Sequence, residues 1–296
     1  MDKWSPSKAY TNVAEANRCF FSQRAALFEA TETPRGAHQA KLEADLDRVL
    51  EVLGKRKEEI RALDACGGSG NISLMLLRRG IQPILADISP ELLEIFRQKC
   101  ESNSFKPYTV CKEIGAFLAE ESGPFDLILF SSALHHLENF RQVLTLAFNR
   151  LAPGGVLFTI YDPTPRRQLR LITKILLRIE YYIFKIFYQS FDLPKAIGRR
   201  LRRMLTGSSA SNKGNVAFNS SNVGVLAECH VEQGIDDLDL VVYLREIGFE
   251  VVQHDRYPGT RFTWVDRMIL WLGDATHFKL ILRRPASASV ASTALG

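Results

Sequence analysis

Asp64-Ala65-Cys66-Gly67-Gly68-Ser69-Gly70-Asn71 is the stretch on which the reading of this chain turns. It separates a short apolar run, Arg61-Ala62-Leu63-Asp64, from the amphipathic stretch Ile72 to Arg79, so it reads as a glycine-rich turn between a strand and a helix. Glycines at such a turn let the backbone approach a ligand closely, and an open parallel sheet exposes its binding crevice at strand carboxyl ends. A Gly-x-Gly element alone is weak evidence, because tight turns use it too.

Working outward, short apolar runs and amphipathic stretches keep alternating. Pro83 to Asp87 reads as a second strand and Glu91 to Cys100 as a helix opened by the cap Ser89 and Pro90, while Gly80 stops the helix before them. Tyr108 to Cys111, Phe125 to Phe130 and Val156 to Ile160 complete five predicted strands, with a weak helix through Ala116 to Ala119 and another from about Asn139 to Leu151. Strands reached through crossovers require a parallel sheet covered on both faces. Upstream, Leu42, Leu46, Val49, Leu50 and Leu53 recur at helical spacing, whereas residues 1–40 show no firm periodicity and are expected to form an N-terminal helical cap. Downstream, helix Asp237 to Ile247 and strands Phe249 to His254 and Phe278 to Leu282 resume the pattern.

This divides the chain into a cap segment (1–40), a binding core (41–164), an insertion (165–230), a C-terminal part of the core (231–284) and a tail (285–296) expected to lack structure. Residues 165–206 of the insertion carry eleven Lys or Arg against Glu180 and Asp192, so the +5 of the whole chain is concentrated there. Arg166, Arg170, Lys174 and Arg178 recur every four residues, opposed by Leu169, Ile172, Leu176, Ile179, Ile183 and Ile186, which predicts a helix with one basic and one apolar face. Tyr181, Tyr182, Phe184, Phe187, Tyr188 and Phe191 crowd its end, Arg199, Arg200, Arg202 and Arg203 form a second basic cluster, and Gly207 to Asn222 reads as a mobile loop. Two functional readings follow: a lid over a hydrophobic pocket, with peripheral contact of residues 166–205 to anionic lipid, or a surface for RNA. The aliphatic helical pattern favours the first, and the alternative is plain packing on the domain.

No run of roughly 18 apolar residues occurs and the N-terminus lacks a secretory core, so a cytoplasmic location is expected. Cys19, Cys66, Cys100, Cys111 and Cys229 form no Cys-x-x-Cys pair, which argues against a disulfide framework or a zinc site.

Taken together, Asp64, Gly68 and Gly70, the acid Asp87 after the second strand, the Phe125-Asp126-Leu127-Ile128 strand, Ala133-Leu134-His135-His136-Leu137 and Leu151-Ala152-Pro153-Gly154-Gly155 resemble class I S-adenosylmethionine-dependent methyltransferases, in particular the ubiquinone/menaquinone-methyltransferase-like branch. The resemblance implies a Rossmann-like, seven-stranded, mostly parallel sheet with helices on both faces. It implies S-adenosylmethionine held by Asp64, Cys66, Gly67, Gly68 and Gly70, with Asp87 on the ribose hydroxyls, Ile88 on the adenine, Glu113 and Ile114 at its amino edge and Ser131 near the methionine part. Cys66 stands where the family keeps its first glycine, and this also weighs against a nicotinamide dinucleotide in the turn. The family needs no metal. His135 and His136, just past a strand end, are the candidate bases, ahead of His230 and His254, and Tyr161, Asp162 and Tyr182 are candidate acceptor contacts. The expected reaction is methyl transfer to a hydrophobic small molecule, with oxygen as the expected acceptor atom. The rivals are an RNA methyltransferase and a membrane-associated binding module without turnover.

Overall fold

The structure, a computed structural model, describes residues 13–31, 37–121, 123–189 and 234–286. Gly207 to Asn222, the cluster Arg199 to Arg203, His230, Cys229 and residues 287–296 lie outside the described residues. In chain order the elements are α1 (Val13–Thr31), α2 (Ala37–Leu53), β1 (Ala62–Ala65), α3 (Asn71–Arg78), β2 (Pro83–Asp87), α4 (Pro90–Ser102), β3 (Thr109–Cys111), α5 (Ile114–Glu120), β4 (Phe125–Ser131), α6 (Phe140–Arg150), β5 (Leu151–Pro163), α7 (Leu171–Gln189), α8 (Asp237–Glu246), β6 (Glu250–Tyr257), α9 (Thr263–Trp271) and β7 (His277–Arg283).

The seven strands form one sheet in the order β3-β2-β1-β4-β5-β7-β6. β1 pairs in parallel with both β2 and β4, and β7 runs antiparallel between β5 and β6. The chain winds outward from β1 through β2 to β3, then returns to the other side of β1 for β4. This reversal opens a crevice past the carboxyl ends of β1 and β4, because the connections leaving them diverge to opposite faces. Two apolar layers flank the sheet. Leu63, Ile128, Phe130 and Leu157 are buried with α5, α6 and α8, while Leu127, Leu129, Phe158 and Ile160 are buried with Leu42, Leu46 and Val49 of α2. Each such fully buried side chain contributes about 2–3 kcal/mol.

The caps predicted from sequence form as expected. Ser89 Oγ accepts from the Leu92 amide, Pro90 occupies the first turn of α4, and Gly80 adopts φ +81° beyond α3. Two helices carry no apolar stripe that the sequence shows. Residues 13–31 form α1, whose inward positions Val13, Ala16, Asn17 and Ala25 are small or polar, so no apolar stripe marks it. Helix α9 lies between the last two strands and buries only Val265 and Ile269 among its own residues. The faces of α7 also differ from the expected opposition of basic and apolar sides. Leu169 and Leu176 are buried with Thr173 and Glu180, while Ile172 and Ile179 point into solvent.

Candidate active site

The crevice is a cleft of about 1600 Å³ floored by the ends of β1, β2, β4 and β5 and walled by α1 and α7. It exceeds the roughly 300–1,000 Å³ of ordinary ligand pockets, leaving room for two reactants. Three non-glycine residues at its floor hold left-handed backbones: Cys66 (φ +56°) after β1, Ser132 (φ +53°) after β4 and Tyr161 (φ +66°) near the end of β5. Such conformations cost an L-residue roughly 1–2 kcal/mol each. Cys66 thus adopts the geometry its replaced glycine would favour, and burial pushes its thiol well above the ordinary range, which makes it a packing group rather than a nucleophile.

The turn after β1 is built around Asp64. Its Oδ2 accepts the Ser73 amide at 3.1 Å and the Ser73 hydroxyl at 2.6 Å, while Oδ1 is buried and meets no donor among the described residues. Burial, opposed by the Ser73 hydrogen bonds and reinforced by Asp87, pushes its carboxyl up to about 6. A Cβ on Gly67 would come within 2.7 Å of Asp64 Cγ, so only glycine fits there. Gly70 does not line the cleft. It caps α3 against Phe96, where a Cβ would lie 2.0 Å from the ring, and it is therefore a packing position rather than the expected ligand contact.

Asp87, at the end of β2, accepts the Gly68 amide at 2.9 Å on Oδ2 and the Ser89 amide at 2.8 Å on Oδ1. The carboxylate therefore ties the glycine turn to the start of α4, and each oxygen keeps a lone pair. Its burial raises its pKa against these backbone hydrogen bonds. Ile88, Glu113, Ile114 and Ser131 line the same cleft, as do Cys66, Gly67 and Gly68. Glu113 is also the N-cap of α5, accepting from Gly115 and Ala116 at 2.9 and 2.7 Å, which fixes its carboxylate.

On the other side of the cleft the two candidate histidines part ways. His135 is buried, its Nδ1 lies 2.9 Å from Asp162 Oδ1, and its amide donates to the same oxygen at 3.2 Å. Thr159 Oγ1 donates to Asp162 Oδ2 at 2.9 Å. A carboxylate at Nδ1 assigns the proton to that nitrogen and makes Nε2 the ring's acceptor. His136 instead packs its ring edge-on against Phe21 of α1 at 5.0 Å, and its carbonyl accepts Asn17 Nδ2 at 2.7 Å.

Asp162 was expected to touch the acceptor, but it is fully buried and does not line the cleft. A bulge explains this: the β5–β7 register skips from Ile160 to Asp162, turning Tyr161 out to the cleft and leaving Asp162 beneath the His135 turn. The Tyr161 amide, displaced from the ladder, donates to Tyr257 Oη at 2.9 Å. Tyr182, also expected at the acceptor, lies instead on the outer face of α7, while Tyr181 lines the cleft. His254 is bonded to Asp237 at 2.6 Å, away from the cleft lining.

Sequence reasoning missed His277. Thr276 Oγ1 accepts the Gly259 amide at 2.9 Å and lies 2.8 Å from His277 Nδ1. Burial, reinforced by the nearby guanidinium groups of Arg166 and Arg261, pushes it down to about 3. His135 and His277 both line the cleft. Helix α1 straps the cleft. Glu29 bonds Ser69 of the glycine turn and Lys99 of α4, Ser22 meets Ser89 at 3.1 Å, and Asn17 holds the His136 carbonyl.

Residues 37–254 match the family model of a methyltransferase domain. The chain belongs to the class I S-adenosylmethionine-dependent methyltransferases. It is 34% identical over 128 residues to the tRNA 5-carboxymethoxyuridine methyltransferase of Escherichia coli (strain K12), covering 42% of this chain and 47% of that protein. It is 29% identical over 148 residues to the ubiquinone biosynthesis O-methyltransferase of Xylella fastidiosa (strain 9a5c), covering 48% and 58%. The chain thus spans about half the length of the curated relatives it matches. The fold is that of the magnesium protoporphyrin IX methyltransferase of Synechocystis PCC 6803 with bound SAM, at a TM-score of 0.53 and 14% identity over 94% of this chain and all of that one.

The cofactor of this family is S-adenosylmethionine, and the residues present fit it. The donor-less Asp64 Oδ1 suits an ammonium, the paired Asp87 oxygens suit vicinal hydroxyls, and the bare Gly67–Gly68 backbone leaves room beside them.

Proposed function

We propose that the protein transfers a methyl group from S-adenosylmethionine to an oxygen of a hydrophobic small molecule, with His135 as general base. The observation that carries this reading is the His135–Asp162–Thr159 chain at the cleft wall. Bound at the turn after β1, the cofactor supplies an electrophilic sulfonium methyl.

The rest falls to the protein. Asp64, Asp87 and the glycine turn hold one reactant. Phe20, Phe21 and Phe28 of α1 and Leu177 of α7 give the remaining space apolar walls that exclude water. His135 Nε2 takes the proton of an acceptor hydroxyl, and Asp162 stabilises the imidazolium that forms without itself leaving its three hydrogen bonds. His277, in the same cleft, remains neutral across the working pH range and is placed to bond a second oxygen of the acceptor. Alignment of the two reactants supplies much of the acceleration, with effective molarities of about 10⁵ M or more. α1 and α7 act as the cover of this site.

A second reading rests on similarity to a tRNA methyltransferase. Arg166, Lys174 and Arg178 line the cleft and would meet phosphates in that case.

The test is release of S-adenosylhomocysteine against a panel of lipophilic phenols and hydroxyquinones, and separately against total tRNA. Turnover on a phenolic acceptor is expected, with His135→Gln lowering kcat about 10²–10⁴-fold while cofactor affinity stays within about twofold. A His135→Gln enzyme with wild-type kcat sinks the base assignment. Turnover on tRNA alone, with a steep loss as salt rises, replaces the small-molecule reading by the second one.

A further inference from the structure

Helix α7 presents three faces. Lys174, Leu177, Arg178 and Tyr181 line the cleft. Leu176 packs against Val265 and Ile269 of α9, with Thr173 bonded to Asp274 and Glu180 Oε1 accepting the Arg261 amide at 3.0 Å. The third face, Leu171, Ile172, Ile175, Ile179 and Tyr182, lies in solvent, with Leu171 72% exposed. Beside it α9 turns Trp264, Met268 and Trp271 outward at positions i, i+4 and i+7, and Trp271 is 84% exposed.

The charges on this pair of helices are sorted in one direction. Lys174, Arg178 and Arg267 are exposed. The acids are turned inward: Glu180 is 5% exposed and bonded to Arg261, Asp266 accepts from Thr260, and Asp274 accepts from Thr173. An apolar surface of isoleucine, leucine and tryptophan edged by cations, with no exposed carboxylate on either helix, is the composition of an interfacial helix rather than of a solvated one. No helix among the described residues is long and apolar enough to cross a membrane, and Lys174 and Arg178 interrupt α7, so the face can lie on a bilayer but not pass through it.

We propose that α7 and α9 together form a docking face for the surface of an anionic phospholipid bilayer. Trp264, Met268, Trp271 and the outer stripe of α7 enter the boundary between headgroups and acyl chains, and Arg267, Lys174 and Arg178 sit among the headgroup phosphates. Charge complementarity selects this occupant. A second copy would oppose like charges across the contact. The chain's own residues 190–233 would add Lys195, Arg199, Arg200, Arg202, Arg203 and Lys213 against only Asp192, Glu228 and Glu232. Because Lys174 and Arg178 edge both this face and the cleft, docking turns the cleft mouth toward the bilayer. The docking itself is independent of the methyl-transfer reading. Its further consequence, delivery of a hydrophobic acceptor out of the lipid, rests on that reading.

The full chain is mixed with vesicles of phosphatidylglycerol and phosphatidylcholine, and with vesicles of phosphatidylcholine alone, and bound protein is separated by flotation. Binding is expected to the first and not the second, weakening as salt rises. The double variant Trp264→Ser, Trp271→Ser should lose roughly tenfold or more of the binding, and Arg267→Glu a smaller part, with cofactor affinity unchanged in both. That unchanged affinity separates this proposal from the cofactor assignment. Absence of binding to either vesicle, binding retained by the double tryptophan variant, or a wild-type dimer that this variant dissolves would each overturn it.

Discussion

The two sides of the cleft are held by different means. The cofactor side is one short piece of chain folded on itself: Asp64, Gly67, Gly68 and Asp87 lie within 24 positions of each other, and Asp87 reaches its partners Gly68 and Ser89 across separations of 19 and 2. The acceptor side is assembled from distant pieces. His135 meets Asp162 from 27 positions away, Asn17 of α1 bonds the His136 carbonyl across 119, and Tyr161 Oη donates to the His38 carbonyl across 123. A site made by one turn is specified locally by residue type. A site made by the meeting of remote elements is specified by packing, and packing can be varied without disturbing the turn.

The largest expected effect breaks the cofactor side alone. Asp87→Ala removes a carboxylate that holds two backbone amides and that, on the proposed reading, receives the ribose hydroxyls. Charge-assisted hydrogen bonds contribute about 1.5–3 kcal/mol each, so affinity for S-adenosylmethionine measured by calorimetry should fall about 10²–10³-fold. Unchanged affinity would remove the placement of the ribose.

Next in size is a pH effect centred on Asp64. Its folded-state pKa is raised from 3.8 to about 6, so its contribution to the stability of the cofactor-free protein is fully present below about 3.8 and is lost as pH rises through about 6. Cofactor binding has the opposite sign, because an ammonium pairs with the ionised carboxylate. Affinity should therefore rise between pH 5 and 7 and then level off, by about threefold to tenfold. Asp64→Asn should flatten both profiles. A wild-type affinity that is flat over this range contradicts the pairing.

A smaller effect tests the strap that joins the two sides. Glu29→Gln weakens the contacts of α1 with Ser69 and Lys99, each of them partly buried. At roughly 1 kcal/mol, the cofactor off-rate followed by stopped flow should increase about fivefold. No change would mean that α1 covers the acceptor space only.

The smallest effect is expected at Cys66. Glycine there relieves a left-handed backbone costing about 1 kcal/mol but loses a side chain packed on the core. Cys66→Gly should therefore shift stability in urea by less than about 1 kcal/mol and leave cofactor affinity unaltered. A large loss of affinity would give the thiol a role that its packing does not suggest.

The strands and the helices that cover them were legible because each buries a continuous or periodic apolar face, and a period of 2 or 3.6 survives in a single sequence. The bounds of α1 were not legible, since it roofs a ligand cleft and shows Asn17, Arg24 and Glu29 where a core helix would show leucines. α9 was not legible either, since it is short and its tryptophans face outward. Asp162 was assigned to the right neighbourhood and the wrong contact, because a one-residue bulge decides which of Tyr161 and Asp162 meets the cleft.

By itself the sequence determined the alternating α/β order, the glycine turn and the acid that follows β2, because these are local matters of residue type and spacing. Tertiary structure alone decided which histidine is paired to a carboxylate, that His277 joins it, and which face of α7 is left to solvent. These follow from strand order and from a register shift between β5 and β7, two strands whose paired residues lie more than a hundred positions apart.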